Sequence, residues 1–207
     1  MADILVCIKR VPDVSGEVLL TDDGQHVDAR HVGYTVSPHG AVPVGIGVYG
    51  TTGRIEKGYR AYGAELDAER TIVEAGMARP KVKAADFVGR EAYLAQREAP
   101  AASVLCTLTV DDHTSASGIK RYMLGGEPIL TKDGKELLDG HGHRPYVTTA
   151  GSAPSLGKHL LMAYLPPTAA VVGNELTVSY MEELYPVTVA SADATAPFDP
   201  DNSRIRS

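Results

Sequence analysis

Three glycines have the spacing of a dinucleotide-binding loop, Gly45-x-Gly47-x-x-Gly50, and a predicted helix follows them directly. In such a loop the glycines let the backbone approach a pyrophosphate at the N-terminus of a helix. The fingerprint also requires a strand immediately before it, and here the preceding "AVPV" contains a proline. A lone match also carries little weight in a chain with 21 glycines. We interpret the stretch as a glycine-rich connection, with a nucleotide site as the alternative.

Charged side chains follow this connection. The planar guanidinium of Arg54 can bind a carboxylate through two parallel hydrogen bonds, and a salt bridge at the helix start is the alternative. Glu56 stands beside Lys57 and four residues before Arg60. It can serve as an acid–base residue or belong to an exposed ion-pair network of the i, i+4 type.

Two tyrosines in the same segment, Tyr59 and Tyr62, can stack on a planar heterocycle. Together with Ile55 and Leu66 they recur at i, i+4, i+7 and i+11, which places all four on one face of a helix. The spacing therefore predicts that both tyrosines are core residues, with stacking as the alternative.

Histidine, aspartate and cysteine residues elsewhere give weaker signals. His141 and His143 could ligate a metal, but no third ligand is in sight and no metal site is predicted. The run 111–113, Asp-Asp-His, stands at a strand end where polar turn residues are expected. Cys7 and Cys106 each lie in an apolar segment without a basic neighbour that would activate the thiolate. We predict reduced, buried thiols, with a disulfide as the alternative, and we assign no catalytic residue.

Composition and charge limit the class of protein. The chain has 207 residues, of which 43% are hydrophobic and 22% charged, as in an ordinary soluble globular protein. A net charge of -6 argues against nucleic-acid binding. No apolar run approaches the roughly 20 residues of a membrane helix. An acidic residue at position 3 and a basic pair after the first apolar run are the reverse of a secretory signal, so a cytoplasmic location is predicted.

The N-terminal half contains short strands and two helices. Residues 3–8 predict a buried strand, and residues 16–29 predict a hairpin with its turn at Asp23-Gly24. The first helix can be capped by Thr52 and ended by Gly63. The second helix follows Asp86 and covers residues 87–98.

The C-terminal half changes to a β pattern. Six short β-rich segments are separated by glycine, proline and aspartate, which favours an antiparallel barrel or sandwich. The segments are residues 102–110, 128–137, 144–151, 158–165, 174–180 and 184–190. The predicted fold class is α+β, with an N-terminal strand and hairpin, a two-helix segment and a six-stranded antiparallel β-barrel.

Several of these segments resemble the folate-dependent aminomethyltransferase family, which includes the glycine cleavage T-protein and the C-terminal regions of dimethylglycine and sarcosine dehydrogenases. The similar stretches follow one another in the family's order, beginning with "RIEKGYRAYGAEL" and "ADFVGREAYLAQRE" and continuing through "GGEPILTKDGK", "YVTTAGSAPSLGKHLLMAYLPP", "GNELTVSY" and "FDPDNSRIR". The resemblance implies a helical part of the folate-binding domain at 44–100 and the C-terminal barrel at 101–207.

The resemblance implies one-carbon transfer, of an aminomethyl or N-methyl group, to tetrahydrofolate. Arg54, Glu56, Tyr62, Arg204 and Arg206 are the residues predicted to contact that cofactor, with solvated charge as the alternative for the two tail arginines. The family's Tyr-Thr-Gly-Glu segment and its N-terminal lobe with the catalytic aspartate have no counterpart here. A partner, either a second copy or a flavin dehydrogenase, is therefore expected to complete the active site.

Residues 1–43 resemble the start of an electron transfer flavoprotein beta subunit, with a first strand followed by "KRVPD". The later strand–helix units of that family do not follow, so FAD is not expected to bind this chain alone. Two other functions follow as hypotheses. One is a non-catalytic interaction or assembly module, whose incomplete channel would leave apolar surface exposed, and the other is an electron-transfer accessory.

Overall fold

The computed structural model describes residues 11–12, 34–35, 47–78, 81–193 and 195–204. The chain divides into two units, Met1–Gly45 and Ile46–Ser207. In the first unit β1 (Val11–Pro12) pairs antiparallel with β2 (Tyr34–Thr35). The strand predicted at 3–8 and the hairpin predicted at 16–29 lie outside the described residues.

Six antiparallel strands form the sheet of the second unit. Their order in the sheet is β4-β7-β8-β3-β6-β5. The strands are β3 (Val104–Val110), β4 (Ile129–Thr131), β5 (Val147–Ala153), β6 (Lys158–Leu165), β7 (Glu175–Tyr180) and β8 (Glu183–Ala192).

The two edge strands, β4 and β5, meet and close the sheet. Pro128 and Tyr146 form an antiparallel bridge just before each strand. The N–H of Ile129 donates to the carbonyl of Pro145 at 2.9 Å, and the N–H of Val147 donates to Glu127 at 2.8 Å. These contacts join the two edge strands where each begins, as in a barrel. The predicted six-stranded antiparallel barrel is therefore confirmed.

The barrel buries apolar residues on both sides of β6. The interior is filled by side chains such as Leu108, Leu161 and Val178, which are fully buried. On the outer side, Leu160 and Met162 form a second cluster with Ile55. This outer cluster attaches residues 54–75 to the barrel wall.

The first helix is shorter than predicted. A π-helical segment, Val48–Gly53, continues into α1 (Arg54–Glu56), and the helix ends there. Gly58 adopts a left-handed conformation with φ of 62°. The N–H of Gly58 donates to Ile55 at 3.1 Å and that of Tyr59 donates to Arg54 at 3.0 Å, which is a Schellman motif. Gly58, and not Gly63, therefore ends the helix.

Because the helix ends early, the prediction that Tyr59 and Tyr62 are core residues is wrong. Tyr59 is 60% exposed and Tyr62 is 93% exposed. Without a helix through residues 57–63, the i, i+4, i+7 spacing no longer places the two rings on the buried face with Ile55.

The second helix, α2 (Arg90–Glu98), begins three residues later than predicted. Asp86 accepts the N–H of Phe87 at 3.0 Å, but Gly89 at φ of 82° delays the regular helix. No residue of α2 is buried. None of the helices in the described ranges is long and apolar enough to cross a membrane.

Candidate functional site

A buried carboxylate, Glu65, joins the segment after α1 to the start of β5. Its side chain is fully buried. It accepts hydrogen bonds from Arg54 Nη1 at 2.8 Å, from the N–H of Ala61 at 2.9 Å and from Thr148 Oγ1 at 2.8 Å. The hydroxyl of Thr149 donates to it as well. Such a carboxylate is tolerated in the interior because a cation and several donors satisfy it.

Arg54 is the cation of this cluster, and its side chain is only 13% exposed. Beyond Glu65, the guanidinium donates to the carbonyls of Gly50 at 2.9 Å and Tyr59 at 2.8 Å and to Thr149 Oγ1 at 3.1 Å. Four of its five N–H donors are therefore used within the protein. The observed geometry is that of a cross-link between helix, turn and barrel.

The turn at residues 61–66 presents Tyr62 to solvent. The N–H of Gly63, at φ of 85°, donates to Leu66 at 2.8 Å, and the N–H of Leu66 donates to Ala61 at 3.1 Å. The hydroxyl of Tyr164 donates to the Glu65 carbonyl at 2.5 Å. An exposed aromatic ring thus stands on a turn that is fastened to β5 and β6.

A second polar cluster surrounds Arg70, next to the first. Arg70 Nη1 donates to Asp139 Oδ2 at 2.5 Å and to Ser103 Oγ at 3.0 Å. The guanidinium carbon lies 5.0 Å from the centre of the Tyr164 ring, as in a cation–π contact. The side chains of Arg70 and Asp139 are 7% and 1% exposed, so this ion pair is buried.

Glu74 completes the second cluster. It accepts hydrogen bonds from the N–H and hydroxyl of Thr71, from Ser103 Oγ at 2.8 Å and from His141 Nε2 at 2.7 Å. Burial by itself raises the pKa of Glu74, but these hydrogen bonds together outweigh it and lower the pKa below 4.5. In Asp139 burial likewise opposes the shift, and the bonds from Arg70, His143 and His141 lower the pKa below 3.8.

The two lowered carboxyl pKa values predict a loss of stability in acid. Because each folded-state pKa lies below its unfolded value, the stabilisation is complete above about pH 4.5 and is lost as the pH falls through the folded values. We expect the melting temperature to fall below about pH 4.5 in a calorimetric pH series. Glu74→Gln should show a shallower fall than the wild type, and an equal slope would contradict this account.

Glu56 binds Ser155 and not the predicted partner, Arg60. Its carboxylate accepts both the N–H and the hydroxyl of Ser155, each at 2.8 Å, and the residue is 7% exposed. Arg60 instead donates to the carbonyls of Ala75 at 2.8 Å and Asp193 at 2.6 Å. The predicted i, i+4 network between Glu56 and Arg60 is wrong, because the helix ends before Arg60.

The remaining predicted residues do not converge on Glu65. The guanidinium carbon of Arg204 lies 5.0 Å from the centre of the Phe198 ring, and Arg206 lies outside the described residues. Gly50 stands inside the π-helical segment, not in a loop before a helix, while Gly45 is not described.

The structure describes both histidines of the predicted pair and one of the two cysteines. His141 binds Glu74, and within the described ranges no three His, Cys, Asp or Glu residues are placed to hold a metal. Cys106 is a free, buried thiol. Burial, with a smaller contribution from the charge of Asp193, raises its pKa to about 12. Cys7 lies outside the described residues.

Sequence reasoning missed Glu65, Arg70 and Asp139. A local signal existed only for Glu65, an acidic residue between Ala64 and Leu66 in a segment that also carries the basic Arg54. Arg70 and Asp139 are 69 positions apart and carry no joint pattern.

Residues 104–194, which hold strands β3 to β8, match a known family model. The family is the glycine cleavage T-protein C-terminal barrel domain. The match begins at the first residue of β3 and ends just beyond β8. The other segment discussed above, with Arg54, Glu65 and Arg70, lies outside the matched residues.

Curated relatives extend the similarity beyond the barrel domain. An aminomethyltransferase of Moorella thermoacetica is 36% identical over 141 residues, which is 68% of this chain and 34% of that protein. One from Thermosynechococcus vestitus is 29% identical over 159 residues, 75% of this chain and 38% of that protein. The chain thus spans about a third of the length of these relatives.

A solved structure has the same fold. The crystal structure of glycine cleavage system aminomethyltransferase T from Bartonella henselae matches with a TM-score of 0.56 at 19% identity, over 70% of this chain and 37% of that one. The family model does not cover residues 1–43, and the resemblance to an electron transfer flavoprotein stays a prediction.

Proposed function

We propose that this chain is the folate-side part of an aminomethyltransferase-like enzyme, which transfers a one-carbon unit to tetrahydrofolate together with a partner. The observation that carries the proposal is the exposed ring of Tyr62 on a turn fastened to the barrel through Glu65. An accessible phenol ring on a fixed backbone turn offers a stacking surface to a planar pterin. The similarity to aminomethyltransferases supports this choice of ligand.

In this proposal Arg54 acts through the turn. Four of its five N–H donors bind groups of the protein, so one N–H remains. Two parallel hydrogen bonds to a glutamyl carboxylate need two free N–H donors, which Arg54 lacks. Its bonds to the Tyr59 carbonyl and to Glu65 instead fix the backbone of the turn that carries Tyr62. We assign no proton-transfer residue in this chain, and the donor-side acid–base group comes from the partner.

Partner dependence is supported by the small size of the hollow that the described residues form beside the turn. The hollow next to Tyr164 and Arg70 has a volume of about 10 Å³, which is room for one water molecule at most. A pterin on Tyr62 therefore lies on the open surface of this chain. A second lobe would cover it and exclude water, as one-carbon transfer requires.

The test is a calorimetric titration of the full chain with tetrahydrofolate. We expect saturable binding that Tyr62→Ala weakens by about tenfold, because stacking on an aromatic ring contributes about 1–3 kcal/mol per heterocycle. Tyr93→Ala is the matched control, since that ring lies on α2, lines neither the turn nor the cleft, and contacts Phe87 and Arg97. Equal binding by wild type and Tyr62→Ala, or loss in Tyr93→Ala instead, would contradict the site.

The second candidate function, a non-catalytic assembly module, is favoured by α2. A nine-residue helix without a buried residue is marginal on its own, because short helices depend on packing of an apolar face. Val88, two residues before its first residue, is fully exposed. No heat with tetrahydrofolate, combined with concentration-dependent association in sedimentation, would favour this function and overturn folate binding.

A further inference from the structure

A second cleft lies at the opposite end of the β5–β6 hairpin from Thr149. It is built where β3 and β5 end and β6 begins, and its lining includes Asp111, His113, Tyr122 and Lys158. Its volume is about 340 Å³, within the range of small-molecule pockets. Ala153, which lines the cleft, comes four residues after Thr149 on β5, and at about 3.3 Å per residue the two are roughly 13 Å apart. Neither the family match nor the proposed folate surface accounts for this cleft.

Three rings form one wall of this cleft. The centres of the His113 and Tyr122 rings are 4.7 Å apart with a tilt of 35°. The ring of His159 meets that of Tyr122 edge-on, at 5.4 Å. Tyr122 remains 46% exposed. The neighbouring rings hold the phenol in place, and its accessible part offers an aromatic ligand a firm contact.

His159, one of these three rings, has a buried acceptor without a hydrogen-bond partner in the described part of the chain. The residue is 7% exposed, and burial lowers the pKa of its imidazole below 6.5, so the ring is neutral at pH 7. In the neutral ring Nε2 donates to the carbonyl of Met123 at 3.1 Å, which leaves Nδ1 without a proton. Among the described residues Nδ1 has no hydrogen-bond partner. A buried polar atom without a partner is uncommon and marks a place where the protein's own hydrogen bonding is incomplete.

Two side chains of opposite charge, Asp111 and Lys158, line the cleft. The carboxylate of Asp111 accepts the hydroxyl of Thr188 at 2.6 Å and that of Thr109 at 3.3 Å. Lys158, in contrast, makes no hydrogen bond or ion pair with any residue that the structure describes. The cleft therefore carries one carboxylate, whose oxygens accept the threonine hydroxyls, and one ammonium group whose donors are available to a ligand. Because Asp111 repels any anion, a singly charged carboxylate suits the site better than a doubly charged phosphate.

The turn between β5 and β6 is fixed before any ligand arrives. Pro154 and Gly157 line the cleft from this turn. Ser155 lies between them, and its N–H and hydroxyl both donate to Glu56. A wall that is already in place lowers the entropic cost of binding.

We propose that this cleft binds a small aromatic carboxylate. The ring packs against Tyr122 and His113, and the carboxylate pairs with the ammonium of Lys158. The proposal is independent of the folate surface, which lies at the other end of β5.

The experiment uses ¹⁵N-labelled full-length chain and three probes: benzoate, benzyl alcohol and phenyl phosphate. We expect benzoate to shift the amide resonances of residues 111–113 and 157–159 saturably, and both other probes to bind more weakly. Lys158→Gln should weaken benzoate binding by about tenfold, the effect of about 1.4 kcal/mol. Tyr122→Leu should weaken it also. Lys135→Gln removes an exposed lysine that does not line the cleft. It is the control and should bind benzoate like the wild type.

Several results would overturn the assignment. These are the absence of saturable benzoate shifts, shifts confined to other residues, or equal binding by Lys158→Gln and the wild type. Tighter binding of phenyl phosphate than of benzoate would overturn the carboxylate class. Unchanged spectra of the variants outside the cleft show that a loss of binding is not a loss of fold.

Discussion

The Arg54→Met variant is expected to unfold with a free energy about 3–5 kcal/mol lower than that of the wild type. Removal of the guanidinium leaves the fully buried carboxylate of Glu65 without its cation. The carbonyls of Gly50 and Tyr59 lose a donor at the same time. Urea denaturation followed by circular dichroism measures the change, because β3 to β8 report the cooperative unfolding of the barrel.

Two controls show whether the buried charge is the cause. Arg54→Met combined with Glu65→Gln should recover part of the lost stability, since removing both partners leaves no uncompensated charge. Lys132→Met breaks an ion pair with a shorter distance, 2.5 Å against 2.8 Å, but both of its side chains are more than 60% exposed. It should have no measurable effect. If Lys132→Met proved as harmful as Arg54→Met, burial would not be the deciding factor.

The strands could be predicted where local signals were strong. The strand predicted at 158–165 coincides with β6, because a nearly continuous apolar run stands between Gly157 and Pro166. The segment 128–137 was predicted as one strand, but β4 stops at Thr131. There the chain turns back at Gly134, with φ of 74°, and Thr131 receives the N–H of Gly134. The Asp133-Gly134 pair was the available turn signal.

The clusters around Glu65 and Arg70 could not be predicted from local patterns. Glu65 binds Thr148 and Thr149, which are 83 and 84 positions away. Those threonines lie at the start of β5. Whether they come close to Glu65 depends on how β5 pairs with β6. Hydrophobic periodicity determines which residues face inward along one element, but not which distant polar groups meet between elements.

The Arg70→Met variant is expected to be destabilised by about 3–5 kcal/mol as well, because it leaves the carboxylate of Asp139 buried without its cation. Among the described residues, Asp139 then keeps the backbone N–H groups of His141 and His143 as its donors. The variant also loses the contact with the Tyr164 ring. Arg70 and Arg54 bind different carboxylates, but Tyr164 contacts both clusters, so the stability losses of the two single variants are expected to depart from additivity.

The control for this second prediction is Arg144→Met. Arg144 pairs with Glu136 at 2.8 Å, but the two side chains are 72% and 58% exposed. We expect unchanged stability in that variant, measured by the same denaturation. The loss in Arg70→Met should also shrink in acid, because protonation of Asp139 removes the charge that Arg70 compensates. A loss that stayed constant from neutral pH down to the acid range would show that Arg70 stabilises the barrel through packing on Tyr164 and not through its charge.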